Sequence, residues 1–269
     1  MSGRMALIAG RGGLPAAVVA ALADRPLVAA LDGFLPAGVE PDQVFRIERL
    51  ALLLRWLENE GVTRVMFAGA VERPRLDPAL FDPATAQMVP RLLVAMQGGD
   101  DSTLRAVIAI FEEEGFTVVG VQDVAPALVP GPGLLCGQPT DADSRDTARA
   151  AQIVAALGAV DVGQGAVVAQ GLCLAVEALP GTDAMLDWVA GTACRPDPKG
   201  ARGVFYKAPK PGQDRRIDLP TLGVQTLRRA GAAGLAGIAW QAGGVILLDP
   251  DAMVAEARAL GLFLWARGP

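Results

Sequence analysis

Histidine is absent from all 269 residues of the chain. Without it there can be no Ser-His-Asp or Cys-His catalytic arrangement, no histidine-ligated metal site, and none of the commonest general base near neutral pH. Serine occurs only at positions 2, 102 and 144, and none of these lies in the G-x-S-x-G pattern of serine hydrolases. Any chemistry therefore has to use carboxylates, Lys, Arg, Thr, Tyr, Cys or a hard cation.

Cysteine is also scarce. Cys136, Cys173 and Cys194 are widely spaced and form no C-x-x-C pair. We interpret them as buried small side chains of a protein from a reducing compartment, not as a disulfide framework.

Positive charge is in the minority, since the formal net charge is -5. This balance argues against nucleic acid as the main partner, because phosphate backbones are bound through net positive surface. No apolar run reaches the length of a membrane span, and two glycines and a proline interrupt the apolar stretch near the N-terminus. We therefore expect a cytoplasmic protein.

What the chain does contain is an alternation of short apolar runs with amphipathic stretches. Residues 5–9 and 62–69 have the pattern of strands that enter glycine turns, and residues 49–60 show helical spacing of leucines. Such alternation indicates a parallel sheet with helices on its faces. We predict an α/β protein whose N-terminal Rossmann-like domain covers residues 1–130 and whose C-terminal α/β domain covers residues 131–269.

The expected linker is the stretch rich in proline and glycine at residues 126–139. Beyond it, residues 144–157 have the pattern of an amphipathic helix. Residues 180–220 are rich in Pro, Gly and charge, and we expect loops there around one strand at residues 203–206. Thr221 is the expected N-cap of a helix that runs to about residue 230.

A glycine turn at residues 10–13 follows the first strand and opens a helix, with Pro15 in its first turn. Asp32 stands about twenty positions on, where a dinucleotide fold has its ribose-binding acid. Pro15, however, occupies the third glycine position of G-x-G-x-x-G. A nicotinamide or flavin site is thus less favoured than a nucleotide or phosphate at the helix N-terminus, and a turn without ligand stays open as well.

Asp100 and Asp101 precede a helical stretch. The ordinary interpretation is a helix cap whose negative charge lies at the positive end of the helix dipole. The functional alternative places one of them near a cation or a sugar hydroxyl. The sequence has no G-K dipeptide, which excludes a Walker phosphate loop.

The densest polar region lies between residues 170 and 226 and includes Lys207, Lys210, Asp214 and Asp218. If residues 214–218 were extended, the alternate side chains of Asp214, Arg216 and Asp218 would point to one side. Lysine together with a carboxylate suits hydrolysis of a phosphate anhydride, because the cation neutralises phosphate and the carboxylate holds Mg²⁺ or orients water. A solvated charged loop remains the alternative.

Several motifs occur in order along nearly the whole chain. They are IAGRGGLP at 8–15, FAGAVERP at 67–74, GDD at 99–101, QGAVV at 164–168, AVE at 175–177, GTDAML at 181–186 and KPGQDRRIDLPTLG at 210–223. In these motifs the sequence resembles the LpxI-type UDP-2,3-diacylglucosamine pyrophosphatases. The resemblance implies an enzyme of lipid A biosynthesis that hydrolyses UDP-2,3-diacylglucosamine to UMP and 2,3-diacylglucosamine 1-phosphate, with water attacking the phosphorus on the sugar side.

The resemblance also implies a divalent cation, usually Mg²⁺, a homodimer, and transient contact with the inner face of the inner membrane. Asp218 is the central catalytic residue it implies, and the expected metal ligands are Asp218 and Asp214. The expected substrate-binding residues are Gly12, Gly13, Gly69, Ala70, Asp100, Asp101, Thr182, Asp183, Lys207, Lys210 and Gln213. A non-catalytic module that binds a nucleotide-lipid is the alternative function.

Overall fold

The computed structural model describes residues 3–72, 76–97, 100–192 and 195–268, without the side chains of residues 96, 97, 100 and 101. The chain divides into two compact units. Unit 1 comprises Met1–Pro126 and Asp214–Asp218, and unit 2 comprises Ala127–Gln213 and Leu219–Pro269. Five residues from the second half of the sequence thus belong to the first unit.

Unit 1 is built on one parallel sheet. Its strands are β1 (Arg4–Ala9), β2 (Leu27–Leu31), β3 (Gln43–Phe45), β4 (Val62–Ala68) and β5 (Thr117–Val118), and its helices are α1 (Leu14–Ala21), α2 (Leu50–Asn59), α3 (Pro83–Gln97), α4 (Asp100–Glu113) and α5 (Val121–Val124). The strand order is β3-β2-β1-β4-β5 and all pairings are parallel. This Rossmann-like order changes direction between β1 and β4, where α/β proteins bind ligands beyond the carboxyl ends of the strands. The predicted fold class is confirmed.

The helical spacing of leucines explains how α2 packs in unit 1. Leu50, Leu53, Leu54 and Leu57 recur at i, i+3, i+4 and i+7, and all four are buried in the unit 1 core. Each fully buried leucine stabilises the fold by about 1.5–3 kcal/mol relative to an exposed one. Gly61, which has a φ of 69°, follows the helix and lets the chain turn directly into β4.

Unit 2 has a mixed sheet. Its strands are β6 (Gly133–Cys136), β7 (Gly165–Ala169), β8 (Leu172–Val176), β9 (Val204–Lys207), β10 (Thr221–Leu222), β11 (Gly237–Gln241), β12 (Ile246–Leu247) and β13 (Phe263–Arg267), and its helices are α6 (Asp141–Ala159), α7 (Gly181–Thr192), α8 (Val224–Ala232) and α9 (Pro250–Leu260). The main sheet has the order β6-β13-β11-β9-β7-β8, in which β13, β11 and β9 are parallel and the others antiparallel. Strands β10 and β12 pair in parallel as a second small sheet.

Two expectations for unit 2 are wrong. Residues 181–192, expected as loop, form α7, because Met185, Leu186 and Val189 recur at helical spacing and are buried in the unit 2 core. The proposed N-cap Thr221 lies in β10 instead, and α8 begins at Val224 after Gly223. In both cases tertiary packing overrode the local turn-forming residues.

The expectation that the cysteines are buried is also wrong for the two that the structure describes. Cys173 is exposed on the edge strand β8 and Cys136 is half-buried in β6. Cys194 lies outside the described residues.

Candidate active site

The glycine turn after β1 is joined to the turn after β4. Arg11 N donates to Ala70 O and Ala70 N donates to Arg11 O, each over 2.9 Å. Side chains would prevent this approach, because a Cβ on Gly10 would lie 2.6 Å from Ala70 O and a Cβ on Gly69 would lie 2.6 Å from Gly10 O. The two predicted binding turns therefore meet at the point where the strand order of unit 1 reverses.

Gly12 and Gly13 form the open part of this turn. Gly12 has a φ of 94°, and at both glycines no described atom lies within 4 Å of the place a Cβ would take. Helix α1 begins at Leu14, and Gly13 provides no side-chain cap. None of the described residues fills the Cβ side of these two glycines, and the start of a helix offers backbone N–H groups that can bind phosphate.

The side chains around the turn are already paired. Arg11 Nη2 donates to Gly33 O over 2.7 Å, and its guanidinium lies 4.7 Å from the centre of the Phe34 ring. Asp32 directly follows β2, as a ribose-binding acid would, but its carboxylate accepts a hydrogen bond from Arg46 over 3.2 Å. A ribose would have to compete with Arg46 for this carboxylate.

In unit 2, a buried lysine forms the centre of the main polar cluster. Lys207 is the last residue of β9 and is only 6% exposed. Its Nζ donates to Thr182 Oγ1 over 2.5 Å and lies 3.5 Å from Glu177 Oε2. The structure therefore brings the predicted residues Lys207 and Thr182 together at the carboxyl end of a strand.

Glu177 belongs to the same cluster, although sequence reasoning did not select it as a site residue. A Cβ on Gly163 would lie 1.9 Å from Glu177 O, and one on Gly165 would lie 2.7 Å from Glu177 Oε2. These two glycines allow the segment after β8 to fold over the start of β7, where Glu177 N donates to Gly165 O over 2.8 Å. Lys207 is the sequence feature that could have indicated Glu177, because a lysine within a buried strand needs a nearby carboxylate.

Lys210 and Gln213 form a second pair in unit 2. Gln213 Oε1 accepts hydrogen bonds from Lys210 N (3.0 Å) and Gln164 Nε2 (3.1 Å). Lys210 Nζ donates to Asp161 Oδ1 over 2.5 Å, and this aspartate is largely exposed. The ammonium of Lys210 is therefore held by a surface carboxylate in this conformation.

The remaining predicted acids are placed differently. Asp183 Oδ2 lies 3.6 Å from Arg229 Nη1, and its side chain is 59% exposed, so it pairs with α8 and not with Lys207. Asp100 and Asp101 form the start of α4, but their side chains lie outside the described residues.

Residues Asp214–Asp218 form a turn and are not extended. Ile217 N and Asp218 N both donate to Asp214 O, over 3.3 and 3.4 Å. The expectation that Asp214, Arg216 and Asp218 point to one side of an extended segment is therefore wrong, because a backbone bond from residue i+4 to residue i closes the segment. Asp218 is half-buried within it.

Arg216 closes this turn through its guanidinium. Its backbone N and its Nε both donate to Asp214 Oδ1 over 3.0 Å, and its Nη2 donates to Asp214 Oδ2 over 2.7 Å. Its Nη1 donates to Glu112 Oε1, on α4, over 2.6 Å. The hydrogen bonds from Arg216 hold the pKa of Asp214 below its usual value, and those to Asp214 and Glu112 raise the pKa of Arg216. Asp214 is thus an ionised carboxylate with a hydrogen-bonded arginine.

The donor set around this turn does not form a metal cage. Both carboxylate oxygens of Asp214 are taken by Arg216, and the described residues contain no group of three or more Cys, Asp or Glu side chains placed to hold an ion. Mg²⁺ is often held by only one or two carboxylates together with substrate phosphates. Asp218 has the carboxylate chemistry that this mode of binding uses, and Asp214 could add its oxygens only by releasing Arg216.

A separate cavity of about 550 Å³ lies within unit 2. Its lining includes Arg202, Ala236 and Leu262, which precede β9, β11 and β13. The cavity is therefore at the amino ends of the parallel strands, opposite the end at which Lys207 lies. None of the predicted site residues lines it.

These observations define a two-unit α/β protein, with an open glycine turn in a Rossmann-like unit and a buried lysine in a mixed-sheet unit. The model of the LpxI N-terminal domain matches residues 4–128, and that of the LpxI C-terminal domain matches residues 131–265. The chain is 39% identical over 274 aligned residues to the UDP-2,3-diacylglucosamine pyrophosphatase LpxI of Caulobacter vibrioides, covering 99% of this chain and 98% of that protein. The chain belongs to the LpxI family.

Proposed function

We propose that the protein hydrolyses UDP-2,3-diacylglucosamine. Water attacks the phosphorus on the sugar side, the bond from that phosphorus to the bridging oxygen breaks, and UMP leaves with that oxygen. The other product is 2,3-diacylglucosamine 1-phosphate. The observation that carries this proposal is the 39% identity, over almost the full length of both chains, to a relative named for this substrate.

The buried cluster of unit 2 supports a role in phosphate binding. Lys207 offers a compact positive charge whose position is set by Thr182 and Glu177, so that little reorganisation is needed when a phosphate arrives. Lys210 and Gln213 follow on the same segment, and Lys210 can exchange its exposed partner Asp161 for a phosphate oxygen. We therefore assign Thr182 and Lys207 to the diphosphate.

The glycine turn of unit 1 supports a second contact with the nucleotide. Gly12 and Gly13 precede the start of α1, where backbone N–H groups would bind a phosphate, and Gly69 and Ala70 belong to the turn that is hydrogen-bonded to Arg11. We assign Asp100 and Asp101, which follow on the same unit, to the sugar hydroxyls or the cation. Asp183 is assigned to the substrate as well and would leave Arg229 when it binds.

Asp218 is the proposed catalytic residue. Its carboxylate would orient the attacking water and supply the protein oxygen that holds Mg²⁺. When bound, the ion would neutralise negative charge on the diphosphate. The backbone of Asp218 is fixed by its hydrogen bond to Asp214 O, so the side chain starts from a defined point.

The decisive experiment compares the wild type with the Asp218→Ala variant in a thin-layer assay of UMP release, with Mg²⁺ and with EDTA. We expect the wild type to release UMP only with the metal ion. Asp218→Ala should still bind UDP-2,3-diacylglucosamine but release UMP at least about 10²-fold more slowly, because it has lost the group that directs the water. Near-normal turnover by Asp218→Ala would remove this residue from the mechanism.

The matched control is Asp251→Ala, which removes an exposed carboxylate from the first turn of α9. It should leave UMP release unchanged. If the wild type binds the substrate tightly and yields no UMP under any metal condition, the alternative of a non-catalytic nucleotide-lipid module is correct instead.

We also propose peripheral contact with the inner face of the inner membrane. No helix in the described part of the chain has the length and apolar character to span a bilayer. Leu179 is fully exposed just before α7, and Trp188 on α7 is 53% exposed, so two large apolar side chains lie on or next to the helix that carries Thr182. Co-sedimentation with anionic vesicles tests this contact, and we expect the double variant Leu179→Ser/Trp188→Ser to lose it. The expected homodimer is tested separately by light scattering.

A further inference from the structure

The turn that carries Asp218 is fastened to unit 1. Residues Asp214–Asp218 group with this unit, although the chain on both sides belongs to unit 2. The attachment has two parts: Ile217 packs against the unit 1 core, and Arg216 reaches Glu112 on α4, which is 104 residues away in the sequence.

The geometry of Arg216 determines what this attachment can do. One edge of its guanidinium binds both oxygens of Asp214 within the turn, and the remaining nitrogen, Nη1, binds Glu112 outside it. A guanidinium is rigid and planar, so these bonds fix the orientation of the turn relative to α4 and not only its distance. A lysine would bind at one point and could not fix that orientation.

The turn of residues 214–218 also fixes the backbone of Asp218. Asp214 supplies the side chain that Arg216 holds and also the carbonyl that accepts a hydrogen bond from Asp218 N. A shift of the Arg216 guanidinium would therefore move Asp214 and, through it, the backbone from which the Asp218 carboxylate projects.

We propose that Arg216 is a positioning residue, which holds the turn of Asp218 against Glu112 and so sets the direction of the Asp218 carboxylate. The inference rests on the proposed function, since it concerns the rate at which Asp218 acts. Arg216 itself does not touch the reacting atoms in this proposal.

The test measures kcat and KM for UMP release in Arg216→Lys and Glu112→Ala. We expect kcat to fall about tenfold or more in both variants, because a displacement of about 1 Å at a reacting group can cost on the order of 10²-fold in rate. KM should stay within about twofold of the wild-type value, since the phosphate-binding residues of unit 2 are unchanged. A merely structural role would not produce this split between kcat and KM.

The matched control is Glu113→Ala. Glu113 is the neighbour of Glu112 on α4 and forms a similar ion pair, but with Arg91 of α3 at 2.5 Å and not with Arg216. The two alanine variants remove the same group from adjacent positions of one helix. Glu113→Ala should retain wild-type kcat and KM.

The outcomes separate cleanly. The inference is overturned if Glu112→Ala keeps the wild-type kcat, if Glu113→Ala loses as much as Glu112→Ala, or if Arg216→Lys raises KM with kcat unchanged. Thermal unfolding of all three variants shows whether they fold. If Arg216→Lys is unstable, Glu112→Ala still tests the inference, because it changes no residue of the turn 214–218. If the wild type releases no UMP, it is the proposed function that fails, and this result is seen before any variant is compared.

Discussion

Replacing Lys207 by methionine should destabilise unit 2 and abolish activity through separable causes. Methionine keeps most of the length and apolar stem of lysine but removes the ammonium. The carboxylate of Glu177 then remains in a largely enclosed place, with 13% of its side chain exposed, and has lost its only ion-pair partner among the described residues. Thr182 Oγ1 loses its donor as well.

The magnitude follows from the distance between the charges. At 3.5 Å and an effective dielectric constant of about 20, the attraction between Lys207 Nζ and Glu177 Oε2 is about 5 kcal/mol. Much of this is offset by the desolvation of both groups, and breaking such a pair usually costs about 3–5 kcal/mol. We expect about 3 kcal/mol, because Glu177 keeps some access to water, and hence a Tm lower by roughly 6–12 °C.

Tryptophan fluorescence during urea unfolding measures this loss, since three of the four tryptophans lie in unit 2 and Trp240 pairs with Lys207 on the adjacent strand. The double variant Lys207→Met/Glu177→Gln also removes the carboxylate charge of Glu177, which Lys207→Met leaves without its ion-pair partner. It should recover about half of the lost stability and still release no UMP. Lys199→Met, at an exposed lysine, is the control and should behave like the wild type.

Two results would refute the reasoning. If Lys207→Met unfolds at the wild-type urea concentration, the ion pair does not stabilise unit 2. If the double variant is no more stable than Lys207→Met, the loss comes from packing and not from the unpaired carboxylate.

Two further predictions concern unit 1. Gly69→Ala should lower the free energy of urea unfolding by about 1–3 kcal/mol, because φ is 99° there and a Cβ would lie 2.6 Å from Gly10 O. Gly13→Ala is the control and should fold normally, because no described atom lies within 4 Å of its Cβ position. Equal stability of the two variants would contradict the described turn. Burial raises the pKa of Asp82, but hydrogen bonds from Thr85 and Ala84 together with the charge of Arg49 outweigh burial, and the net pKa is lowered. The resulting stabilisation is present above about pH 4 and is lost as pH falls through the folded pKa. Unfolding midpoints of Asp82→Asn should therefore change less between about pH 5 and about pH 3 than those of the wild type, and parallel curves would exclude this role.

The parts of the fold that could be predicted are those with local causes. Strand β1, its glycine turn and helix α2 follow from an apolar run, from glycines and from leucine spacing, and each of these signals lies within the element that it predicts. The approach of the two turns in unit 1 was not predicted, although glycine at positions 10 and 69 leaves room for backbone to meet backbone. Helix α7 was missed because its start, Pro180 and Gly181, has the composition of a loop and its buried face is short.

The candidate site was only partly predictable, because its key contacts join distant segments. Thr182 and Lys207 were both selected, but nothing in the sequence indicates that they touch across 25 residues. The link from Arg216 to Glu112 spans 104 residues, and Glu112 is one of three consecutive glutamates at the end of a helix. Only the fold distinguishes it from its neighbours.

The choice between lysine and arginine follows the geometry of these two contacts. Only three of the 24 basic residues are lysines. Lys207 fills a narrow buried place between a hydroxyl and a carboxylate, where a compact ammonium fits and a planar guanidinium would leave donors unpaired. Arg216 must hold two carboxylates of different segments at once, which needs a rigid fork. Most basic residues of this chain are arginines, so the lysine at position 207 is best explained by the small buried space between Thr182 and Glu177, which fits an ammonium.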